Sequence, residues 1–430
     1  MLLQTLQKKL ANSDFFGNVA KLMAGTVIAQ SITVLASPLL TRIYSPADFG
    51  AFALFNAVVS VVSVIATGRY DMAVVVAKDK KQAVNIAVLT FILILCTSSL
   101  FLLLSLLFKD NLTQVMGDAH PVLFILLSVI TIVFASSYQL LSYWANREKD
   151  FAILAKTKVA QNLINVILAL LVGYFLNNSY GLMIGLMGGT ASAFFLIILK
   201  NAHDFKLLAK EVTRSRVLLV FKRYKNFPKY SMPSSFLDTF SSQIPIFFIT
   251  SLFGQALAGH FGFSYRILSI PIALVGSSIA QVFFQRFSDE YRSKGELKNL
   301  IYRTWVTLAI FGVIPCIVLL LAGPFLFKFI FGAEWVTAGE IVKYLAIMQF
   351  FVLISSPTST ALVVFGAQNT AFLFSLSSAI YRPAALFLGY YLNDFYTGLL
   401  IYVLLEVTQI ICYNIIIIRH CNKIQKEKML

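Results

Sequence analysis

Charged residues are scarce in this chain. Asp, Glu, Lys and Arg together make up 13% of its 430 residues, about half the usual share of roughly 25%. A water-facing surface is built largely from such side chains, so an ordinary soluble domain of this length is excluded. Hydrophobic residues reach 58%, and the mean hydropathy is +0.80. The apolar residues come in unbroken runs, 83–108 and 122–143 among them, without strict alternation. Alternation would have pointed to an outer-membrane barrel; unbroken runs of about twenty residues predict membrane-spanning helices.

Chemistry-bearing residues are sparse as well. The four cysteines (Cys96, Cys316, Cys412, Cys421) lie in apolar runs or the tail with no C-x-x-C, which excludes a disulfide framework and a zinc site. The four histidines (His120, His203, His260, His420) are too scattered to form a metal cluster. There is no Walker A sequence, no G-x-S-x-G and no Asp-x-Asp pair, so no enzyme is expected and no cofactor. The net charge of +16 comes without an RNP motif or zinc spacing, and nucleic acid is not an expected partner. Residues 1–20 are mixed polar, and the first apolar run has no small-residue cleavage site, so no cleavable leader is expected.

What is present is a regular series of apolar segments. Spans are predicted near 21–42, 50–69, 83–108, 120–143, 153–176 and 180–199. After a basic stretch at 200–229 they resume near 231–253, 257–285, 301–323, 337–365, 369–392 and 396–418. Twelve spans of about 21 residues require about 250 residues, leaving room for short loops. The fold class is therefore an all-α polytopic membrane protein of about 12 transmembrane helices. With the N-terminus inside, alternation puts 29 of the 35 Lys and Arg on or near the cytoplasmic side and four outside; the remaining two, Arg266 and Arg382, fall inside spans. That asymmetry predicts both termini in the cytoplasm.

The basic stretch divides the chain into an N-terminal six-helix lobe at 1–199, a cytoplasmic basic linker at 200–229 and a C-terminal six-helix lobe with its tail at 230–430. Six is even, so both lobes enter the membrane from the same face as a parallel repeat. Weak echoes support the repeat: Asp48-Phe-Gly-Ala-Phe52 with Ala258-Gly-His-Phe261, Met116-Gly-Asp118 with Phe331-Gly-Ala333, and Ala145-Asn146 with Gln368-Asn369. Matched lobes are the architecture of a transporter.

Ionisable groups inside spans are costly and mark function or pairing. Four stand out: Asp238 in span seven, Arg266 in span eight, Arg382 before Pro383 in span eleven, and Glu406 in span twelve. They fit either functional groups or structural ion pairs, Asp238–Arg266 or Arg382–Glu406. Arg42, Arg69 and Asp71 lie at span ends, where snorkelling to the interface is the simpler explanation. Pro38, Pro245, Pro271, Pro315, Pro357 and Pro383 are expected to kink their spans. The segment holding Leu2, Leu3, Leu6 and Leu10 around Lys8 and Lys9 fits a membrane-surface helix or a frayed end.

Several stretches also resemble a known family. Thr41-Arg-Ile-Tyr-Ser-Pro-Ala-Asp-Phe-Gly50, Thr67-Gly-Arg-Tyr-Asp-Met-Ala73, Asn146-Arg-Glu-Lys-Asp-Phe151, Tyr224-Lys-Asn-Phe-Pro-Lys-Tyr230, Phe253-Gly254 and Arg266-Ile-Leu-Ser-Ile-Pro271 are similar to bacterial polysaccharide exporters of the Wzx type. These belong to the multidrug/oligosaccharidyl-lipid/polysaccharide exporter superfamily. The resemblance covers nearly the whole chain. It implies two six-helix lobes around a central cationic cavity, alternating access, and flipping of undecaprenyl-diphosphate-linked oligosaccharide (O-antigen, capsule or a related glycan) across the bacterial inner membrane. It implies a monomer in the lipid bilayer, working beside a glycan polymerase and a chain-length regulator. Related lipid II flippases carry a cavity arginine on the eighth helix, where Arg266 lies, and another in the first helix. Here the first helix offers Thr26, Gln30 and Ser31, with Arg42 only at its outer end.

On this reading Arg266 and Arg382 are the substrate-binding clamp, because arginine forks hold phosphate bidentately and stay charged when buried. Glu406 and Asp238 are the candidates for ion coupling, and Arg42, Arg69 and Asp71 the candidates for contacts at the cavity ends. Lipid II transport is an alternative that the missing first-helix arginine weakens. A drug or cation exporter of the same superfamily would rely on acidic cavity residues, and the N-terminal lobe has no carboxylate in mid-span. A membrane glycosyltransferase or polymerase would need a large outer loop, and none exceeds about 15 residues.

Overall fold

The computed structural model describes residues 2–109, 120–293 and 296–427, the first twenty and a few later ones by backbone alone. The leucine face of the N-terminal segment and the Met116-Gly-Asp118 echo lie outside the described side chains. The described residues form α-helices joined by short turns, with no strand among them. In the first half these are α1 (Leu2–Ile43), α2 (Pro46–Thr67), α3 (Tyr70–Val76), α4 (Lys80–Leu107), α5 (Pro121–Arg147), α6 (Phe151–Leu176) and α7 (Tyr180–Lys200). Two short helices follow, α8 (Ala202–Ala209) and α9 (Arg214–Arg223). The second half holds α10 (Met232–Phe253), α11 (Gln255–Ser293), α12 (Leu297–Phe331), α13 (Val336–Ser355), α14 (Ala361–Val364), α15 (Gln368–Tyr391) and α16 (Phe395–Glu427). Among the described residues 11 helices are long and apolar enough to span a bilayer. The 39-residue α11 occupies the eighth predicted position, which makes the protein a polytopic bundle of about twelve spans.

Two sequence expectations are corrected. The tenth span does not run to 365: α13 ends at Ser355, and a short turn leads to α14. Pro357 sits in that break instead of inside a helix, as the missing N–H of proline favours. The ninth span does not stop at 323 but continues through Pro324 to Phe331, which carries Lys328 into its last turn.

The chain forms two compact units, Met1–Tyr44 with Leu54–Thr239, and Ser45–Ala53 with Phe240–Leu430. In unit one, helix starts are set by side-chain caps. Asp79 accepts the Gln82 N–H at 2.7 Å while Gln82 Oε1 accepts the Lys78 N–H at 2.9 Å. Asp150 caps α6 through the Ile153 N–H at 3.2 Å, satisfying donors that a helix N-terminus leaves unpaired. The 200–229 segment folds onto this unit. Val220 is buried in its core with Tyr70, Trp144 and Leu140, and Phe205 packs against them. Lys80 pairs with Glu148 at 2.7 Å and Lys81 with Glu211 at 2.8 Å, while Lys200 pairs with Asp150. These pairs gather the turns before α4 and α6 and the α8–α9 segment at one end of the unit.

Unit two takes in the start of α2. Ser45 and Asp48 cap it reciprocally: the Ser45 N–H donates to Asp48 Oδ2 at 3.0 Å and the Asp48 N–H to Ser45 Oγ at 3.2 Å, with Pro46 at the first position. Phe49 then packs edge-on against Phe263 at 5.3 Å and Trp335 at 5.0 Å. Beside it Gly50 and Gly259 let α2 and α11 touch: a Cβ on Gly50 would collide with the Gln255 carbonyl, and one on Gly259 with the Pro46 carbonyl. The Ser45–Gly50 part of the family-like motif is thus a helix start and a close crossing.

Candidate functional site

In unit two, α15 and α16 cross tightly where Gly389 meets Gly398; a Cβ on Gly389 would lie 2.5 Å from the Gly398 Cα. About two turns from that crossing, α15 presents Arg382 and α16 presents Glu406. The Arg382 Nε donates to Glu406 Oε1 at 2.5 Å and its Nη2 to Oε2 at 3.2 Å, while Nη1 donates to Ser241 Oγ of α10 at 3.2 Å. The side chains are 18% and 9% exposed. The structure therefore joins a clamp candidate to a coupling candidate in the ion pair that the sequence allowed as the structural alternative. Tyr265 of α11, Tyr381 of α15 and Tyr402 of α16 lie within the electrostatic reach of this pair. Phe261 stacks on Tyr265 at 6.1 Å and meets Tyr402 edge-on at 6.3 Å. Tyr265 is 41% exposed, so part of an aromatic side chain is accessible beside a neutralised charge pair.

Arg266 follows Tyr265 on α11. It is half-buried and makes no ion pair among the described residues. Asp238 is exposed in α10 and has no ion-pair partner among the described residues, so the structure supplies no pair for it. Arg42 is exposed in the last turn of α1, as snorkelling predicts. Arg69 and Asp71 depart from that explanation. Arg69 takes a left-handed conformation, φ 59°, at the start of α3, and its buried Nε has no hydrogen-bond partner. Asp71 is fully buried, where a snorkelling carboxylate would be wet. Its Oδ2 accepts the Gln139 Nε2 of α5 at 2.5 Å.

Unit one also holds a cavity of about 480 Å³ lined by Gln139, Tyr143, Asn146, Lys158, Gln161 and Thr190, with Leu22 and other apolar residues. Lys158 lies inside α6, although the charge count had placed it with the loop cations. Its Nζ donates to Thr26 Oγ1 of α1 at 3.1 Å. No carboxylate pairs with it among the described residues. A signal for it was present: Lys158, Gln161, Asn162 and Asn165 recur at helical spacing in an otherwise apolar span. Another cavity, of about 510 Å³ between α12, α13 and α16, is lined mainly by apolar and aromatic residues with Asn414, Arg419 and Asn422. It contains none of the four intramembrane charges that the sequence singled out.

Outside the spans, burial raises the pKa of Asp71, opposed by the Gln139 hydrogen bond, the Arg69 charge, the Met72 N–H and Thr67. Glu211 shifts the other way, held low by hydrogen bonds from Lys81 and Arg216.

A family described as polysaccharide biosynthesis protein matches residues 39–340. The teichuronic acid biosynthesis protein TuaB of Bacillus subtilis (strain 168) is 19% identical over 186 residues, covering 43% of this chain and 38% of that protein. Among solved structures, the lipid II flippase MurJ in an inward closed conformation superposes with a TM-score of 0.71 at 12% identity, over 95% of this chain and 90% of that one. A multidrug resistance MATE family transporter of the MOP superfamily, in its inward-facing conformation, gives 0.69 at 14% identity over 94% and 96%. At such identities the likeness is one of fold.

Proposed function

Because the chain belongs to the polysaccharide biosynthesis protein family, we propose that it is a flippase. It carries polyprenyl-diphosphate-linked oligosaccharide from the inner to the outer leaflet of the cytoplasmic membrane by alternating access. The observation that carries this reading is Arg266, a half-buried guanidinium within a span that no carboxylate neutralises among the described residues. An unmatched cation in a membrane domain is costly and persists where an anion visits. A diphosphate is such an anion, and its passage through hydrocarbon unaided is prohibitive.

The Arg382–Glu406 pair plays a different part here. Its charges cancel, so it serves as a rigid base that fixes α15 against α16 beside the buried Tyr402 and the exposed ring of Tyr265, an aromatic surface that suits a sugar ring. The fold shared with a lipid II flippase and the relative named for teichuronic acid biosynthesis both support a glycan-bearing substrate. A cation exporter is the weaker reading, because Glu406 already has its counter-charge.

The test is translocation of a fluorescent undecaprenyl-diphosphate oligosaccharide in proteoliposomes. Arg266→Ala is expected to abolish it while insertion and unfolding temperature stay normal. Arg266→Lys keeps the charge but loses the fork and retains part of the rate. Wild-type rates in Arg266→Ala would remove Arg266 from the site, and no translocation by the wild-type protein would remove the flippase reading.

A further inference from the structure

The 67–73 stretch carries part of the family resemblance, yet no step of the proposed clamp uses it. Asp71 within it is fully buried. Of its two carboxylate oxygens, Oδ2 accepts from Gln139 and Oδ1 has no hydrogen-bond partner. An ionised oxygen shut away from water without a donor is expensive. Burial accordingly raises the pKa of this group against the smaller lowering effects of its neighbours. Gln139 is shared: one end of its amide holds Asp71, and its side chain lines the cavity that contains Lys158. Buried carboxyl, amide and cavity form one connected cluster within unit one.

The charged and titratable groups around Asp71 are these. Arg69 precedes it on the chain, and Tyr143 of α5 lies in the field of both. Arg147 of α5 is spent on the carbonyls of Val74, Val75 and Ala77 at the end of α3. Lys80 and Lys81 of α4 are paired with Glu148 and Glu211. Tyr70 donates its hydroxyl to the Phe221 carbonyl at 3.1 Å, and Lys229, in the turn at Phe227–Ser231, is exposed. None of these charged or titratable groups places a hydrogen-bond donor on Oδ1, and the Thr67 hydroxyl and Met72 N–H, which also act on the carboxyl, weigh less than its burial.

We propose that Asp71 is a proton-binding site whose occupancy decides which end of the Gln139 amide faces the unit-one cavity, so that the cavity takes up a diphosphate-bearing ligand together with a proton. The diphosphate rests on the flippase reading above. With Asp71 ionised, the Gln139 NH2 is drawn to the carboxylate and its carbonyl oxygen is left for the cavity, where it repels phosphate. When a proton from solvent binds the carboxylate, the new carboxyl O–H donates to Gln139 Oε1. The amide turns over, and its NH2 faces the cavity beside the Lys158 ammonium. A negative charge is lost and a donor is gained at the same wall.

The linkage has a definite sign. Ligand binding favours the protonated carboxyl, so affinity rises as pH falls through the Asp71 titration, by up to about tenfold per pH unit for one proton. The experiment is calorimetric titration of the full-length protein in nanodiscs with undecaprenyl diphosphate, in two buffers of different protonation enthalpy. Uptake of about one proton per probe bound is expected for wild type. Asp71→Asn should bind with the wild-type low-pH affinity and take up no proton. Gln139→Leu, which also serves if Asp71→Asn does not insert, should bind with an affinity independent of pH. In that variant an Asp71 carboxyl band still titrates by infrared difference spectroscopy. Binding by wild type without proton uptake, a pH dependence surviving in both variants, or the absence of that infrared band would overturn the proposal. Failure of the probe to bind while labelled lipid-linked glycan is still translocated overturns this proposal alone. Loss of both overturns the flippase reading with it.

Discussion

Arg382 and Glu406 meet as a fork, with Nε 2.5 Å from one carboxylate oxygen and Nη2 3.2 Å from the other. The geometry fixes α15 against α16 from both ends of the guanidinium. Breaking a buried pair by removing one partner leaves an unmatched charge and costs about 3–5 kcal/mol, whereas removing both partners together is often neutral. Arg382→Gln and Glu406→Gln should each lower the unfolding temperature in detergent sharply, and the double variant should recover most of the loss. A double variant as unstable as the singles would show that the two side chains act apart.

Much of the fold was legible because the bilayer is a severe solvent: it demands long apolar runs, and 83–108 or 122–143 can be little else. The charge pair was legible only as a choice. Arg382 and Glu406 stood out as costly residues, but periodicity does not say which helices cross, and that depends on the Gly389–Gly398 contact. Asp71 was misjudged because a residue at the end of a span is ordinarily wet; the chain folds α3 back into the unit instead, burying Tyr70 and Asp71 together. Lys158 was hidden by its distance from the helix start, short enough to pass as a loop cation. Positive charge counted by loop carries no phase, and only the recurring Gln161, Asn162 and Asn165 show which face Lys158 shares.

Side of the membrane can be tested at the turns. Lys78 and Lys210 lie by the ion-paired end of unit one, which the charge asymmetry assigns to the cytoplasm. Single cysteines at these positions, in a cysteine-free background, should react with an impermeant maleimide only after the inner membrane is opened. Cysteines at Glu334 and Asp394, in the turns before α13 and α16, should react in intact spheroplasts. Labelling of Lys210→Cys from outside would reverse the orientation.

Glu211 bridges Lys81 at 2.8 Å and also holds Arg216. Hydrogen bonds from those two partners keep its pKa below the usual carboxylate value. For a carboxyl lowered on folding, the stabilisation is present above its unfolded pKa and is lost as pH falls through the folded one. Hydrogen exchange of the α9 amides should therefore be slower in wild type than in Glu211→Gln at neutral pH. The two should converge on acidification. Because the group is only half-buried, the difference is expected to be small and to shrink in salt. An equal difference at acid and neutral pH would assign the effect to packing.

Lys158 separates function from stability most cleanly. Its ammonium rests on the Thr26 hydroxyl at 3.1 Å and lines a cavity of about 480 Å³, and no carboxylate offsets it among the described residues. An uncompensated cation held away from bulk water is a cost to the folded protein. Replacing it with Met keeps the length of the stem and removes the charge, so the unfolding temperature should stay the same or rise. If the cavity receives an anion, the same change should slow translocation of lipid-linked glycan by tenfold or more, about 1.4 kcal/mol or above. Lys158→Arg should retain most of the rate, and Thr26→Val, which removes only the resting contact, should retain nearly all of it. A lysine that merely braces α6 against α1 would show the opposite pattern, with Lys158→Met and Thr26→Val both losing stability and transport only in proportion. Wild-type transport in Lys158→Met would place the anion elsewhere.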